Sequence, residues 1–299
     1  MDFGHVPLRE LDQIDFTLAA EPLLNADVLT GRRVADPGVY IGCPRWGVKE
    51  WVGKLFPKGT RDASFLEEYV KQFNCIELNA TFYNLYNEAV IEKWAQKAGD
   101  REFLFLPKIF QGISHEGTLQ DKMAMTHAFE KSVTAFGEHL GPAFLQLSDR
   151  FSPVRKQELA TYVKSFSSSL SLFVEVRHPD WFAKTEMEWL VKLLRETGKG
   201  LIITDTAGRR DCCHMHLAQA SVMVRFVANN LHPTDYQRLN DWVDRITHWI
   251  EMGLQRLYFI IHMDQEKHSP ELAGYLVDKL NEAGGLTIKK PVLLQQELF

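Results

Sequence analysis

The sequence predicts a (β/α)8 barrel of the TIM type, an α/β fold with parallel strands, preceded by an N-terminal extension. Three observations predict this fold. Eight short runs rich in β-branched and aromatic residues alternate with amphipathic segments of helical periodicity. Several runs are apolar at successive positions, as expected for strands that are covered on both faces. An alternation sustained over eight strands favours a closed barrel over an open sheet.

The first strand follows Pro37-Gly38, a dipeptide that typically marks a turn. Each of the eight runs is short enough to be a single strand. In chain order the strand candidates are Val39–Cys43, Cys75–Asn79, Phe103–Ile109, Ala143–Leu147, Leu172–Arg177, Leu201–Asp205, Val222–Val227 and Leu257–His262.

Amphipathic helical patterns occupy most of the connections between these strands. They cover Asp62–Gln72, Glu88–Lys97, Asp121–His139, Val154–Ser168, Lys184–Thr197, Thr234–Met252 and Pro270–Ala283. One connection lacks a convincing pattern. The stretch between Asp205 and Val222 predicts a loop with a short helix instead of a full crossover helix.

Residues 1–37 are predicted to form an extension packed on the barrel, and residues 38–299 a single barrel domain. Leu8, Leu11, Ile14 and Leu18 recur at helical spacing, but the extension then becomes mixed in character. The remainder contains no internal repeat, low-complexity tract or linker. Barrels of about 250 residues commonly form one domain.

Composition narrows the class of protein. The chain has 299 residues, a net charge of −5 and 45% hydrophobic residues, which argues against a broad basic surface for non-specific nucleic-acid binding. The four cysteines form no C-x-x-C pair, and the N-terminus lacks the basic-then-apolar order of a signal peptide. No apolar run reaches membrane-spanning length. We therefore expect a reduced, cytoplasmic chain without a membrane partner, and composition leaves the oligomeric state open.

Each strand candidate except the first turns polar near its C-terminal end. Side chains alternate between the two faces of a strand, so Glu77 shares a face with Cys75 and Asn79. The outer face lies under helices and must be apolar, which predicts that the polar set points into the barrel at its upper end, where barrel enzymes place catalytic groups. The members are Glu77, Asn79, Lys108, Gln146, Glu175, Arg177, His178, Asp205, Arg225, His262 and Asp264.

The mixture of charges predicts an enzyme that acts on a small polar or anionic ligand, sugar-like or phosphorylated, by acid–base chemistry. No cofactor is required by the sequence. Paired carboxylates, a lysine and a histidine at strand ends suit proton transfer, and arginines suit carboxylate or phosphate groups. The catalytic candidates are Glu77, Glu175, Asp205, Lys108 and His178. The binding candidates are Arg177, Arg225, Asn79, Gln146, His262, Trp46 and Trp181.

Two other classes of function stay open. The first is a hydrolase or phosphodiesterase-type barrel that uses a divalent metal, with Glu77, Glu175, Asp205 and His262 as ligands. Lysine and arginine in the same set weaken this reading, because they compete for the carboxylates. The second is a non-catalytic metabolite-binding or scaffold protein. The charged set would then serve as a network of ion pairs or as a sensor site.

Several motifs resemble those of the YecE-like family, known as domain of unknown function 72. They are IGCPRWGVKEWVGKLFP (41–57), NCIELNATFY (74–83), LPK (106–108), LGPAFLQL (140–147), FVEVRHPDW (173–181), ITDT (203–206) and VRF (224–226). The resemblance implies a TIM-type barrel, no established activity, and a distant likeness to sugar-isomerase and endonuclease-type barrels. The chain departs from the family pattern after strands seven and eight, where it has Val227-Ala228-Asn229-Asn230 and His262-Met263-Asp264.

Overall fold

Eight parallel strands form the core of the protein, which is described by a computed structural model of residues 3–294. The first two residues of the predicted extension and the last five of the predicted barrel range therefore lie outside the described residues. The strands are β1 (Gly38–Cys43), β2 (Cys75–Leu78), β3 (Leu104–Pro107), β4 (Ala143–Gln146), β5 (Leu172–Glu175), β6 (Gly200–Asp205), β7 (Ser221–Ala228) and β8 (Arg256–Met263).

The sheet closes into a barrel. Neighbouring strands pair in the order β3-β2-β1-β8-β7-β6-β5-β4. Two isolated parallel bridges, Phe105–Leu140 and Lys108–Phe144, join the end strands β3 and β4. Across this seam the Ile109 amide donates to the Phe144 carbonyl at 2.9 Å. The (β/α)8 prediction is confirmed.

Helices follow the strands and cover the barrel. They are α1 (Phe65–Gln72), α2 (Ala80–Tyr83), α3 (Glu88–Ala98), α4 (Gln111–Ser114), α5 (Met123–Val133), α6 (Lys156–Ser165), α7 (Lys184–Glu196), α8 (Pro233–Glu251) and α9 (Ser269–Gly284). The segment predicted as one helix over Asp121–His139 is divided. Its last part, Thr134–His139, is a 3-10 helix interrupted by Gly137 with φ of 58°. The short helices α2 and α4 were not predicted, and they lie in the loops above β2 and β3.

The interior of the barrel is filled by an apolar layer. Six strands, β2 to β7, each contribute one side chain and β8 contributes two: Cys75, Leu106, Phe144, Phe173, Ile202, Met223, Tyr258 and Ile260. On β1 the interior position is Gly42, where a Cβ atom would lie 2.1 Å from the Cys75 carbonyl oxygen. Only glycine allows β1 and β2 to approach this closely. The layer forms a solid floor beneath the upper end of the barrel.

The crossover from β6 to β7 has no full-length helix, as the sequence predicts, and in place of the predicted short helix it has the 3-10 turn Arg210–Cys212. The N-terminal segment packs against this region. Leu11 and Phe16 form a small buried cluster with Ala207, just after β6. Apolar contacts that a crossover helix supplies elsewhere in the barrel come here from residues before β1.

Asn25 joins the same N-terminal segment to the β6–β7 crossover by hydrogen bonds. Its side-chain amide donates to the Met215 carbonyl at 2.9 Å and accepts from the Leu217 amide at 2.8 Å. The residue is almost fully buried. One side chain thus satisfies two backbone groups that would otherwise be buried without partners.

All four cysteines are buried and unpaired. Burial raises the pKa of the Cys43 and Cys75 thiols, so both stay protonated and pack as small apolar side chains.

Within residues 3–294 no helix combines the length and the apolar character needed to cross a bilayer.

We expect Asn25→Ala to lower the free energy of unfolding by about 2–3 kcal/mol, because it leaves the Met215 carbonyl and the Leu217 amide unpaired. Urea denaturation measures the change. The matched control is Asn84→Ala on the exposed loop after α2, for which we expect a change of less than about 0.5 kcal/mol. Equal effects of the two substitutions would contradict a structural role for the Asn25 bridge.

Candidate functional site

A polar layer lies directly above the apolar floor. In seven strands the side chain two positions after a floor residue is polar, and alternation places both on the interior face. These polar side chains are Glu77, Lys108, Gln146, Glu175, Thr204, Arg225 and His262. Because the strands are parallel, the seven meet at the carboxyl end of the barrel.

A cavity of about 510 Å³ opens above this layer. Its floor includes Lys108, Arg225 and His262 from the polar layer. Loop residues after β1 and β2, among them Trp46 and Phe82, form part of its wall. Of the predicted site residues, the cavity is lined by Glu77, Asn79, Lys108, Gln146, Arg177, Arg225, His262 and Trp46.

Arg225 links two buried glutamates across the barrel interior. Its Nε and Nη2 atoms each donate to Glu77 at 2.9 Å, and Nη1 donates to Glu175 at 2.7 Å. All three side chains are at most 2% exposed. Burial disfavours the charged guanidinium, but Glu175 and Glu77 outweigh it and raise the Arg225 pKa. Arg225 is therefore a permanently charged partner of both carboxylates.

Glu77 has every acceptor position occupied. Besides the two bonds from Arg225, its Oε1 accepts from Asn79 Nδ2 and its Oε2 accepts from His262 Nε2, each at 2.9 Å. An ionised carboxylate offers about four lone-pair sites, so none remains for a metal or a substrate proton. Burial raises the Glu77 pKa, but Arg225 and His262 overcome it and hold the pKa well below its usual range.

Glu175 contacts Arg225 and Arg177 below the cavity. Its Oε1 accepts from Arg177 Nε at 2.9 Å and from Thr204 Oγ1 at 3.0 Å. Burial alone would raise the Glu175 pKa, but Arg177 and Arg225 lower it to about 2. Both glutamates are therefore ionised near neutral pH, and their bound donors leave them poorly placed to take up protons.

Lys108 differs from the other charged side chains of the polar layer, which form ion pairs with one another. Among residues 3–294 it has no carboxylate partner within 4 Å. Its Nζ donates to Gln146 Oε1 at 3.0 Å and lies 4.1 Å from the centre of the Phe82 ring. Burial, followed by repulsion from Arg225, lowers the Lys108 pKa to about 7. Near neutral pH this amine exists in both protonation states while it faces the cavity.

Glu266, in the loop after β8, also lines the cavity and was not predicted. Its carboxylate accepts from Ser269 Oγ at 2.6 Å and from the Met263 amide at 3.4 Å. Burial raises its pKa to about 7, because no arginine is bonded to it as Arg225 is to Glu77. A sequence reading restricted to strand ends misses such a loop residue.

Asp205 corrects the sequence prediction, because it points out of the barrel. In β6 the interior positions are Ile202 and Thr204, so Asp205 lies on the outer face, beneath α8. There it bonds Arg238 Nη2 at 2.9 Å and Trp242 Nε1 at 2.8 Å. The charge is buried, but it is paired outside the barrel and cannot act in the cavity.

His178 and Trp181 also lie outside the cavity lining. The His178 Nδ1 accepts from the Asp180 amide at 3.2 Å and caps a 3-10 turn. Trp181 is fully buried and its Nε1 donates to the Phe151 carbonyl at 2.7 Å. His178 thus caps the loop after β5, and Trp181 joins this loop to the one after β4.

The ligand set of the metal alternative does not converge. Asp205 is on the opposite face of the sheet, and Arg225 occupies both glutamates. Within the described part of the chain, no three His, Cys, Asp or Glu side chains are grouped closely enough to hold an ion. The carboxylates of the layer bind arginine and are not arranged to bind a metal ion.

We expect Arg225→Met to lower the free energy of unfolding by about 3–5 kcal/mol, because it leaves two buried carboxylates without their partner. Chemical denaturation at pH 7 measures the loss. The matched control is Arg155→Met, since Arg155 also binds a carboxylate with two nitrogens but is about one-third exposed, and we expect a loss of less than about 1 kcal/mol.

Adding Glu77→Gln and Glu175→Gln to Arg225→Met should recover part of the lost stability, because the uncompensated charges are then removed. If the triple variant is no more stable than Arg225→Met, charge pairing is not the reason for the loss.

Comparison with known proteins adds relatives of unestablished activity. The family described as Protein of unknown function DUF72 matches residues 40–296. The UPF0759 protein YecE of Escherichia coli is 27% identical over 263 residues, which span 82% of this chain and 93% of YecE. The UPF0759 protein YunF of Bacillus subtilis is 25% identical over 168 residues, which span 54% of this chain and 58% of YunF.

Solved structures agree with the fold. A DUF72 family protein from Enterococcus faecalis matches with a TM-score of 0.65 at 16% identity, over 85% of this chain and all of the other. One from Thermotoga maritima matches with a TM-score of 0.54 at 16% identity, over 75% of this chain and 92% of the other. The family match extends across nearly the whole barrel, so the chain belongs to the DUF72 family.

Proposed function

We propose that the protein is an enzyme that binds a small anionic compound, sugar-like or phosphorylated, in the strand-end cavity and acts on it by proton transfer. One observation carries the proposal. Lys108 faces a cavity of about 510 Å³ without a carboxylate partner in the described chain, while the glutamates of the same layer are neutralised by arginine. A cavity of this size suits a small-molecule ligand.

The charges around the cavity favour an anion. Glu77 and Glu175 carry two negative charges, which Arg225 and Arg177 balance. Lys108 then adds positive charge whenever it is protonated. A carboxylate or phosphate that enters the cavity supplies the counter-ion that Lys108 lacks and favours its protonated form.

Polar and aromatic groups of the cavity suit a hydroxylated ligand. Asn79, Gln146 and His262 line it with amide and imidazole groups. Trp46 and Phe82 add aromatic surface. Burial outweighs the Glu77 carboxylate and lowers the His262 pKa, so this imidazole is neutral and donates to Glu77 through Nε2.

Among the described residues that line the cavity, Lys108 and Glu266 each have a pKa of about 7. General acid–base catalysis is most efficient when the pKa of the group lies close to the working pH. These two residues, not the glutamates of the polar layer, are our acid–base pair. Lys108 is retained from the sequence-based catalytic set, and Glu266 replaces its other members, Glu77, Glu175, Asp205 and His178.

Binding of gluconate, a sugar acid that stays ionised above pH 5, tests the proposal. We expect its affinity to be highest below pH 7 and to fall by up to about tenfold per pH unit above it, because free Lys108 loses its proton and binding must restore it. Isothermal titration between pH 6 and 9 measures the affinity.

Lys108→Arg, which stays charged, should keep the affinity and weaken this pH dependence to the part that ionisation of Glu266 contributes, whereas Lys108→Met should lose at least about tenfold in affinity. The matched control is Lys199→Met at the other end of the barrel. An affinity unaffected by Lys108→Met, or a thermal-shift screen in which neither gluconate nor glucose 6-phosphate binds, argues against the proposal. A ligand that binds with no turnover supports the non-catalytic alternative.

A further inference from the structure

We propose that Lys108 is a nucleophilic amine that forms an imine with a small carbonyl compound carrying a carboxylate or phosphate. This inference rests on the anion-binding cavity proposed above and names a narrower class of substrate for it.

The surroundings of Lys108 Nζ suit a neutral amine that is held in place. The side chain is only 7% exposed, yet it lines the cavity. The Phe82 ring lies 4.1 Å away and the Phe144 ring 5.9 Å away, so water has little access around the nitrogen. The single hydrogen bond to Gln146 orients the amine without fixing a charge on it.

Neighbouring cations also favour the neutral form. Arg225 and Arg177 both repel an ammonium at Lys108, and the opposing attraction of Glu77 and Glu175 does not offset this repulsion and burial together. With a pKa of about 7, about half of the Lys108 amines are neutral at pH 7, against roughly one in 2500 for an ordinary lysine. Desolvation in an apolar pocket and a neighbouring cation are each known to make lysine a nucleophile.

Imine formation at Lys108 releases one molecule of water. The Lys108 nitrogen lone pair attacks the carbonyl carbon, and the carbonyl oxygen takes up a proton to give a carbinolamine. A second proton converts this hydroxyl to water, which leaves as the carbon–nitrogen double bond forms. Nitrogen gives up the two protons that depart in the water molecule. Glu266, which lines the same cavity, is the group we assign to deliver and recover a proton.

The class of carbonyl compound follows from the cations at the cavity. Arg45 and Arg177 line it in addition to Lys108. When Lys108 is neutral these guanidinium groups hold the acidic part of the ligand, and arginine pairs well with carboxylate and phosphate oxygens. A keto acid, an aldehyde acid or a sugar phosphate in its open form combines the required carbonyl with the required anion.

Lys199, just before β6, provides an internal comparison. It is 4% exposed and also lies near an aromatic ring, that of Phe166 at 5.2 Å. Its Nζ donates to the carbonyls of Ser167 and Leu170 at 3.0 and 3.3 Å, at the opposite end of the barrel from the cavity. Burial lowers the Lys199 pKa and Glu130 opposes this shift, and Lys199 does not line the strand-end cavity.

Reductive trapping tests the inference on the intact wild-type chain. The protein is incubated separately with glyoxylate, pyruvate and glyceraldehyde 3-phosphate at pH 7, and borohydride then reduces any imine to a stable secondary amine. Peptide mass spectrometry reads the adduct at each lysine. We expect at least about tenfold more adduct at Lys108 than at Lys199 or at exposed lysines with at least one probe. We also expect trapping to rise with pH around 7.

Three variants refine the result. Lys108→Met should abolish the preferential adduct, and Lys199→Met should leave it unchanged. Arg177→Met should reduce trapping of glyoxylate severalfold more than that of glycolaldehyde, which has no acidic group and responds only to the altered protonation of Lys108. Since the main readout uses the wild-type chain, it stands even if a variant fails to fold. The absence of any Lys108 preference with all three probes overturns the inference.

The outcomes separate this inference from the proposed function. If gluconate binds with the expected pH dependence but Lys108 is not trapped, the imine is wrong and the anion site stands. If Lys108 is trapped but no anion binds, the amine chemistry stands and the anionic ligand class is wrong. If neither is observed, both are wrong.

Discussion

Arg225 lies between two glutamates in a barrel interior where no charge can be solvated. Each of its three nitrogens donates to a carboxylate, reaching Glu77 on β2 and Glu175 on β5 from β7. The three strands are not neighbours, so this interaction ties opposite sides of the barrel together. A shorter or unbranched cation could not satisfy both carboxylates at once, because the planar guanidinium presents its donors in a fixed fork.

The chemistry of the cavity follows from this shared counter-ion. Since Arg225 and Arg177 occupy the glutamates, Lys108 is left without an anion and with cations nearby. Removing either glutamate would change the charge felt at Lys108 as well as the stability of the barrel. The same buried network thus has two roles: it holds the polar layer in place and, together with burial, it sets the protonation state of the Lys108 amine.

The N-terminal segment connects the barrel wall to this site. It covers the β6–β7 crossover through Leu11, Phe16 and Asn25, where the chain has no crossover helix. Its Phe3 ring lies 4.1 Å from the Arg177 guanidinium, at the rim of the cavity. Asp205 anchors the same region from outside the barrel by its pairing with Arg238. A charged residue that looked catalytic in the sequence therefore serves the packing of this wall.

The sequence by itself determined the eight strands, the missing helix after β6 and most of the polar layer. The reason is that periodicity and side-chain alternation are local properties: Glu77, Lys108 and Arg225 each follow a floor residue by two positions. Alternation, applied to β6 as well, would have selected Thr204 in place of Asp205. Tertiary structure alone decided which charges pair. That Arg225 takes both carboxylates, that Lys108 keeps none, and that Glu266 is buried at the cavity depend on distances between residues far apart in the chain, and such distances set a pKa while leaving no trace in local sequence.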